Sequence, residues 1–339
     1  MSFLNLERPR RIVPGHGSPT AKIAIVGEAP GSYEDSQLKP FVGPAGTILE
    51  QCLHAAGIIR SECYLTNVVK VRPKNNVIDP FFSGTRGTFT AEGMHWVNEL
   101  REELNGHGCN VIVACGSTAM AALTGVHKVT KYRGYLFESI GLERTRKVVP
   151  TIHPAAALRG MYTYRHLIAA DFKKAKGEMN SPHLNRPERQ LIYNFTTVTE
   201  VLEWLDYYAA QPLVCFDIEV LNYEVSCISF SSDPSIAISI PIAGDLWSEL
   251  DEAQIWKGIQ RVLGNTTSIK VAQNAIFDAH FLLTRCGVEV KGLIHDTMVG
   301  HSVMYPELPK GLGFLGSIYC GAQAYWKDMV KFNSIKQED

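Results

Sequence analysis

The alternation of short apolar runs with longer amphipathic segments in the first half of the chain is the feature that most limits its fold. Strand-like runs occupy residues 22–26, 64–71, 110–114 and 147–152. Segments with helical spacing occupy residues 45–56, 91–104, 117–123 and 164–176. Strands that alternate with helices form a parallel sheet covered on both faces, with ligands at the carboxyl ends of the strands. A parallel α/β domain is therefore predicted here.

A second domain is expected because 339 residues exceed what a single core usually organises. Residues 178–190 contain two prolines and lack apolar periodicity, which predicts a linker between domains at residues 1–177 and 191–339. In the second domain, three strand-like runs precede most of the helical segments, at residues 213–218, 224–231 and 237–241. This order indicates a mixed sheet, again of the α/β class.

Charge is distributed unevenly between the two halves although the whole chain carries a formal net charge of −1. Residues 1–190 have a balance of +8, whereas residues 191–339 have a balance of −9. A basic half suits a polyanion such as DNA, and an acidic half suits metal ions.

The composition excludes several classes of protein. Hydrophobic residues make up 45% and charged residues 20% of the chain, which is typical of a folded globular protein and not of a disordered one. The longest apolar runs are too short to span a bilayer, and residues 1–11 lack the apolar core of a secretory signal. The eight cysteines occur singly without a CxxC pair, so we expect free buried thiols in a reducing cytoplasm and no membrane partner.

Four short motifs of the first half combine an acid, an aromatic ring, an amide and an imidazole. They are GEAPG at residues 27–31, PFVGPAG at 40–46, TNVVKVRP at 66–73 and HPAAALR at 153–159. An aromatic ring can stack on a base, an amide can bind its edge, and an imidazole can stabilise charge on a departing pyrimidine. Taken singly, each residue has an ordinary structural explanation such as a helix cap, a core phenylalanine or a loop histidine. Together they predict a base-binding pocket.

These motifs, in this order, resemble those of the family 4 uracil-DNA glycosylases over residues 20–177. The resemblance implies an α/β/α domain that flips uracil out of DNA and cleaves its N-glycosidic bond. It implies that Phe41 stacks on uracil beside Ala29, that Asn67 binds the edge of the base, and that His153 stabilises the leaving group. Glu28 and Glu34 occupy the acidic catalytic positions, with Glu28 preferred.

The same resemblance implies a DNA-binding surface around the pocket. Leu158 is placed to fill the gap left by the flipped base, with Arg159 near phosphate. Lys70 and Arg72 are two further expected DNA contacts. Residues 77–90 are expected to be an insertion that carries Phe81, Phe82 and Arg86.

An iron–sulfur cluster, which family 4 enzymes usually hold through four cysteines, is not expected in this chain. No cysteine precedes Cys52, and Val71 stands where the third motif normally has a cysteine. A cubane cluster needs four thiolates. No cofactor is therefore predicted for the glycosylase-like domain.

A second group of acidic residues lies in the other half of the chain. Asp217 and Glu219 are two residues apart on a predicted strand, so their side chains point to the same face. Asp278 follows at a strand-to-helix junction. Neighbouring carboxylates are typical of a site for two divalent ions, although an exposed strand edge is the simpler explanation of Asp217 and Glu219 alone.

With the NxxFD sequence at residues 274–278, this half resembles the DEDD-type 3′–5′ exonuclease domain of family A DNA polymerases, over residues 191–330. The resemblance implies an RNase H-like mixed sheet, with Asp217, Glu219 and Asp278 as ligands of two Mg²⁺ or Mn²⁺ ions. Asn274 and Phe277 would lie at the primer end. Tyr325 and Asp328 have the wrong spacing for the family's fourth acid, which is expected beyond residue 339.

The two halves together resemble the N-terminal part of the DNA polymerases of some large bacteriophages. A DNA-processing protein is predicted, which excises uracil and carries an incomplete proofreading exonuclease. One alternative is a module that only binds DNA, and another is a polymerase fragment whose activity needs a separate polymerase chain. A plain nucleotide-binding protein is disfavoured because neither a phosphate-loop lysine motif nor GxGxxG occurs.

Overall fold

The computed structural model describes residues 10–84, 88–184, 188–244 and 246–320. The chain divides into two compact units. The described part of the first comprises residues 10–84, 88–184 and 313–320, and that of the second comprises residues 188–244 and 246–312. Among these residues, no helix is long and apolar enough to cross a membrane.

A six-stranded sheet forms the centre of the first unit. Its strands are β1 (His16–Gly17), β2 (Ile23–Gly27), β3 (Cys63–Asn67), β4 (Val111–Cys115), β5 (Phe137–Glu138) and β6 (Lys147–Thr151). Their order is β1-β3-β2-β4-β6-β5, with β3, β2, β4 and β6 parallel and the two edge strands antiparallel. Every residue of the four parallel strands is buried, as expected for a sheet covered on both faces. The predicted α/β class is confirmed.

Helices cover both faces of this sheet. They are α1 (Ser32–Gln37), α2 (Pro44–Ala56), α3 (Ala91–Asn105), α4 (Ser117–Thr124), α5 (Val129–Tyr132) and α6 (Tyr164–Glu178). Thr90 caps α3 by accepting a hydrogen bond from the Gly93 amide, which explains why that helix begins after the predicted insertion. Residues 64–71 were expected to form one strand, but β3 ends at Asn67. Beyond this residue Lys70 turns back to donate to the Asn67 carbonyl oxygen at 2.8 Å.

The second unit has a mixed six-stranded sheet, as predicted. Its strands are β7 (Gln190–Ile192), β8 (Leu213–Leu221), β9 (Glu224–Asp233), β10 (Ile236–Pro241), β11 (Ile269–Ala272) and β12 (Ile294–Asp296). In the order β12-β11-β8-β9-β10-β7, the central strands β8, β9 and β10 are antiparallel. The strands β11 and β12 run parallel to β8, and β7 runs parallel to β10. This RNase H-like arrangement brings the end of β11 beside β8.

Four helices pack around the second sheet: α7 (Val198–Ala209), α8 (Glu249–Gly264), α9 (Ala275–Cys286) and α10 (Thr297–Met304). Side-chain caps determine where three of them begin. Thr197 and Glu200 form a capping box at α7, Ser248 caps α8, and Asp296 caps α10. Apolar side chains of α7 and α8 join those of β8, β9 and β10 in one buried core.

A last helix, α11 (Leu312–Tyr319), follows the second unit in sequence, but its residues from Gly313 onward belong to the first unit. The Ser317 hydroxyl accepts a hydrogen bond from Arg133 at 3.0 Å, and Tyr135 donates to the Gly313 carbonyl oxygen. The sequence had placed this segment with residues 191–339. That boundary stays a prediction, and the described contacts of this segment are with residues of the first unit.

Candidate active site

The residues predicted to surround a base line one cavity of about 640 Å³ in the first unit. Glu28, Phe41, Asn67 and His153 all border it. Glu28 directly follows β2, Asn67 ends β3, and His153 follows β6, so three of the four come from the carboxyl edge of the parallel sheet. The cavity therefore lies where ligands bind in sheets of this kind.

Gly27 allows the aromatic ring and the amide of this site to approach the same point. A Cβ atom at position 27 would lie 2.4 Å from Asn67 Oδ1 and 2.7 Å from Phe41 Cζ. Phe41 has a φ of 54°, and Arg60 donates to its carbonyl oxygen at 2.8 Å. Phe41 and Asn67 are both buried, and the strained backbone of Phe41 is held in place by the surrounding loop.

Glu34 connects the loops of the first and second motifs. Its carboxylate accepts hydrogen bonds from the amides of Gly31 at 3.1 Å, Val42 at 3.1 Å and Gly43 at 2.8 Å. A carboxylate with three backbone donors is held as a structural acceptor. This geometry supports a positioning role for Glu34 rather than the predicted catalytic role, and it makes Glu28 the acid to consider for chemistry.

The imidazole of His153 presents a defined nitrogen to the cavity. Nδ1 accepts a hydrogen bond from the Ala155 amide at 3.2 Å, so in the neutral ring Nε2 carries the proton. Burial lowers the pKa of His153, and the Glu28 carboxylate opposes this shift. The ring lies 6.1 Å from that of Phe41, with an angle of 24° between their planes. The site thus contains a neutral hydrogen-bond donor beside an aromatic face.

Two residues of this site, Gly116 and Thr118, were not identified from sequence. Thr118 donates a hydrogen bond to Oε2 of Glu28, and a Cβ atom at Gly116 would lie 3.2 Å from the Cβ of His153. Both follow β4 and border the cavity. Residues 117–123 had been interpreted only as a packing helix. A Gly-Ser-Thr sequence at the end of a buried parallel strand was the signal that could have identified them.

Three of the four predicted DNA contacts, Leu158, Arg159 and Arg72, lie at or next to the cavity. Leu158, 47% exposed, and the exposed Arg159 border the cavity mouth beside Ala155, where a DNA strand could reach them. Arg72 donates to the side chain of Asn76 at 2.9 Å, and Asn76 lines the same cavity. Ala29 also lines the cavity, as expected for a neighbour of the base.

Lys70 does not fit the prediction of a DNA contact. Its side chain is only 7% exposed and forms an ion pair with Glu103. It also donates to the Thr66 hydroxyl at 2.6 Å. Burial lowers the pKa of Lys70, and Glu103 opposes that shift. The correction follows from a partner 33 residues away in sequence, which draws the ammonium group into the interior.

The predicted insertion contributes one aromatic side chain to the cavity wall. Phe82 lines the cavity and stacks on Phe89 with ring centroids 5.0 Å apart. Phe81 is buried in the core, and Arg86 lies outside the described residues. Among the three residues named for this segment, Phe82 is the described one that lines the cavity.

The cysteines of the first unit do not form a ligand set for an iron–sulfur cluster. Burial raises the pKa of Cys52 to about 11 and that of Cys63 to about 12, which disfavours their thiolate forms. Within residues 10–84, 88–184, 188–244 and 246–320, no group of three or more histidine, cysteine, aspartate or glutamate residues is arranged to hold a metal ion. Val71 pairs with Ile12 in a single β-bridge.

The acidic residues of the second unit lie around one part of β8. Asp217 and Glu219 are exposed on this strand, and the buried Asp278 accepts a hydrogen bond from the Ile218 amide between them at 3.0 Å. Burial raises the pKa of Asp278, and the nearby carboxylates of Asp296 and Glu219 raise it further. The hydrogen bond from the Ile218 amide opposes this rise.

Within the described part of the chain, no group of three or more histidine, cysteine, aspartate or glutamate residues is arranged to hold a metal ion, and the two-metal centre stays a prediction. Asp296, which sequence analysis did not assign as an acid of this site, accepts from the amides of Asn274 at 3.1 Å and Ala275 at 2.8 Å. Asn274 has a φ of 62° at the start of α9, and Phe277 is 50% exposed. Tyr325 and Asp328 lie outside the described residues.

Comparison with known proteins agrees with both units. Residues 14–175 match the profile of the uracil DNA glycosylase superfamily, and residues 192–335 match that of a 3′–5′ exonuclease. A type-4 uracil-DNA glycosylase of Thermotoga maritima is 37% identical over 177 residues, covering 51% of this chain and 85% of that protein. One of Archaeoglobus fulgidus is 35% identical over 168 residues, covering 48% and 79%.

A DNA polymerase of Bacillus phage SP01 is 32% identical over 147 residues, which are 43% of this chain but 14% of that protein. The chain is therefore of the class of DNA-processing proteins in which a glycosylase-type unit precedes an exonuclease-type unit. The chain belongs to the uracil-DNA glycosylase superfamily through its first unit, where type-4 enzymes are its relatives, and it continues into a 3′–5′ exonuclease domain.

Proposed function

We propose that this chain excises uracil from DNA by hydrolysis of the N-glycosidic bond. The observation that carries the proposal is the convergence of Glu28, Phe41, Asn67 and His153 on one cavity at the carboxyl edge of the parallel sheet. An acid, an aromatic ring, an amide and a neutral imidazole are the groups needed to bind and release a pyrimidine.

The roles of these groups follow from their surroundings. Phe41 stacks on the flipped uracil, and the Asn67 amide binds its polar edge. As the bond between C1′ and N1 breaks, its electron pair goes to uracil, and the Nε2 proton of His153 forms a hydrogen bond to the negative oxygen. Glu28 stabilises the positive sugar and orients the water that adds to C1′. The proton released by that water neutralises the departing uracil anion.

DNA binding is proposed to involve the exposed residues at the cavity mouth. Leu158 enters the space left by the flipped nucleotide, while Arg159 and Arg72 bind phosphates. The balance of +8 over residues 1–190 favours a polyanion, so affinity should fall as salt rises. Under this proposal, residues 1–177 contain the glycosylase function and residues 191–339 the exonuclease-like function.

For the second unit, we propose binding of a DNA 3′ end beside Phe277 and Asn274. Exonuclease domains of this kind use divalent ions, and Asp217, Glu219 and Asp278 are the carboxylates proposed to hold them here. A further donor is proposed to come from residues outside the described part or from a separate polymerase chain. The likeness to a phage polymerase is consistent with a role in replication within the host cytoplasm.

The test uses an end-labelled oligonucleotide with one uracil, incubated with the chain in EDTA and then treated with alkali. EDTA removes divalent ions, so metal-dependent shortening is suppressed while base release by side chains continues. A single break at the uracil is expected. An intact strand would contradict the proposal, and tight retention of uracil-containing DNA without a break would favour the alternative of a binding module.

A further inference from the structure

Thr118 connects the start of α4 to the residue after β2 through a partly buried hydrogen bond to Glu28. Thr118 lies in the first turn of α4, after β4, whereas Glu28 directly follows the neighbouring strand β2. The Thr118 hydroxyl donates to Oε2 of the carboxylate, and the threonine is only 4% exposed. The bond therefore joins residues 90 positions apart in sequence at the edge where the base is bound.

The Thr118 hydroxyl does not cap α4, so its hydrogen bond to Glu28 is not part of the helix start. The N-cap residue of that helix is Gly116, whose cap position has no side-chain hydrogen bond. A buried hydroxyl needs a partner, and the partner it has is an acid that borders the cavity. Hydrogen bonds to charged groups are stronger than those between neutral groups, so this one restrains the carboxylate.

The same turn also limits the position of His153. A side chain at Gly116 would lie within 3.2 Å of the His153 Cβ, and the φ of 93° at Gly116 favours glycine. Residues 116–118 thus adjoin both groups that act on opposite sides of the scissile bond.

We propose that Thr118 is a positioning residue for uracil excision, holding Oε2 of Glu28 so that Oε1 is directed to the sugar and the attacking water. This inference rests on the proposed function. Because Thr118 acts through Glu28 and not on the base, its loss should lower the rate of bond cleavage and leave substrate binding unchanged.

The experiment compares Thr118→Val, Thr118→Ser and Thr124→Val in steady-state base release. Valine keeps the shape and removes the hydroxyl, and we expect kcat to fall about 10- to 100-fold with KM within about twofold. Serine restores the hydroxyl and should recover the rate to within about threefold of the unmodified chain. Thr124 is the matched control, since its hydroxyl on the same helix donates to the Met120 carbonyl oxygen at 2.7 Å.

A second comparison separates positioning from a loss of folding. In a Glu28→Gln background, adding Thr118→Val should lower kcat by less than about twofold, because the group that Thr118 positions is already altered. The proposal would be overturned if Thr118→Val lowered kcat by the same factor in the Glu28→Gln background as in the unmodified chain. It would also be overturned if Thr118→Val alone left kcat unchanged. If the unmodified chain releases no uracil, the proposed function fails first and this inference fails with it.

Discussion

Arg133 Nη1 donates to the Ser317 hydroxyl at 3.0 Å in the interior of the first unit. The same guanidinium forms a buried ion pair with Asp171, which also accepts from the Thr151 hydroxyl at 2.7 Å. Thr151 ends β6, two residues before His153. A segment that follows the second unit in sequence therefore completes a buried network at the end of the strand that precedes the proposed catalytic histidine.

Replacing Ser317 with alanine should destabilise the first unit. The substitution leaves a buried guanidinium nitrogen without this acceptor, which costs about 1–3 kcal/mol. Urea unfolding monitored by near-UV circular dichroism measures the change in the free energy of unfolding. Ser302→Ala is the matched control, because that hydroxyl donates to the Met298 carbonyl oxygen of the second unit. Equal stability of the two variants would show that Ser317 adds nothing to the network.

Removal of the imidazole or the amide should reduce base release without unfolding the chain. His153→Ala and Asn67→Ala each remove a hydrogen-bond group of the proposed transition state, and each should slow release about 10²- to 10³-fold. Single-turnover rates on uracil-containing DNA give the measurement. His54→Ala, at an exposed position on α2, should keep the full rate. Unchanged rates for both site variants would remove the base-pocket assignment.

Removing the charge of Arg159 should change the salt dependence of DNA binding, whereas removing that of Lys70 should change stability. Arg159→Gln removes a proposed phosphate contact, so the slope of log Kd against log salt should decrease by about 0.7–0.9. Lys70→Met should leave that slope unchanged, since Lys70 is buried against Glu103. It should lower stability by about 1.5–3 kcal/mol, because Glu103 loses its ion pair and keeps hydrogen bonds from Tyr64 and Thr66. Fluorescence anisotropy of labelled DNA at several salt concentrations measures the slope for both variants, and urea unfolding measures their stability. A reduced salt slope for Lys70→Met would restore it as a DNA contact.

The pH dependence of base release should reflect the lowered pKa of His153. Because burial lowers this pKa below 6.5, the imidazole stays neutral as pH falls from about 8 to 6.5. The unfolded chain binds this proton near pH 6.5 and the folded state only at lower pH, so stability falls as the pH drops from about 6.5 toward the folded-state pKa. The neutral Nε2 donor is lost when the pH passes below that lower pKa. Single-turnover rates should show no step from His153 near pH 6.5. A step there that is absent in His153→Gln would contradict the assignment.

Substitution of Asp217 should separate the two units functionally. Asp217→Ala lies on β8 of the second unit, so uracil release should keep its full rate. Any Mg²⁺- or Mn²⁺-dependent shortening of a DNA 3′ end by the unmodified chain should disappear in this variant. Both activities can be followed on one oligonucleotide labelled at its 5′ end. Loss of uracil release would mean that the two activities depend on each other.

The first sheet could be predicted closely from sequence because buried parallel strands appear as continuous apolar runs. The same signal failed after β3, where residues 68–71 include three valines that pack in the core from a loop rather than from the sheet. Apolar content reports burial, whereas the end of a strand depends on hydrogen bonds to its neighbours. The exposed pair on β8 was likewise predictable, because alternation along a strand is a local property.

The members of the base pocket could be predicted from the sequence alone, because the acid, the aromatic ring, the amide and the imidazole each occur in a recognisable motif. Only the tertiary structure decided what each polar group is bonded to. Lys70 turned inward because Glu103 of α3 lies beside it, and Thr118 reached Glu28 because β2 and β4 are neighbours in the sheet. Local patterns specify helices, strands and loops, but a charged or hydroxyl group takes its role from the partner that the strand order places next to it.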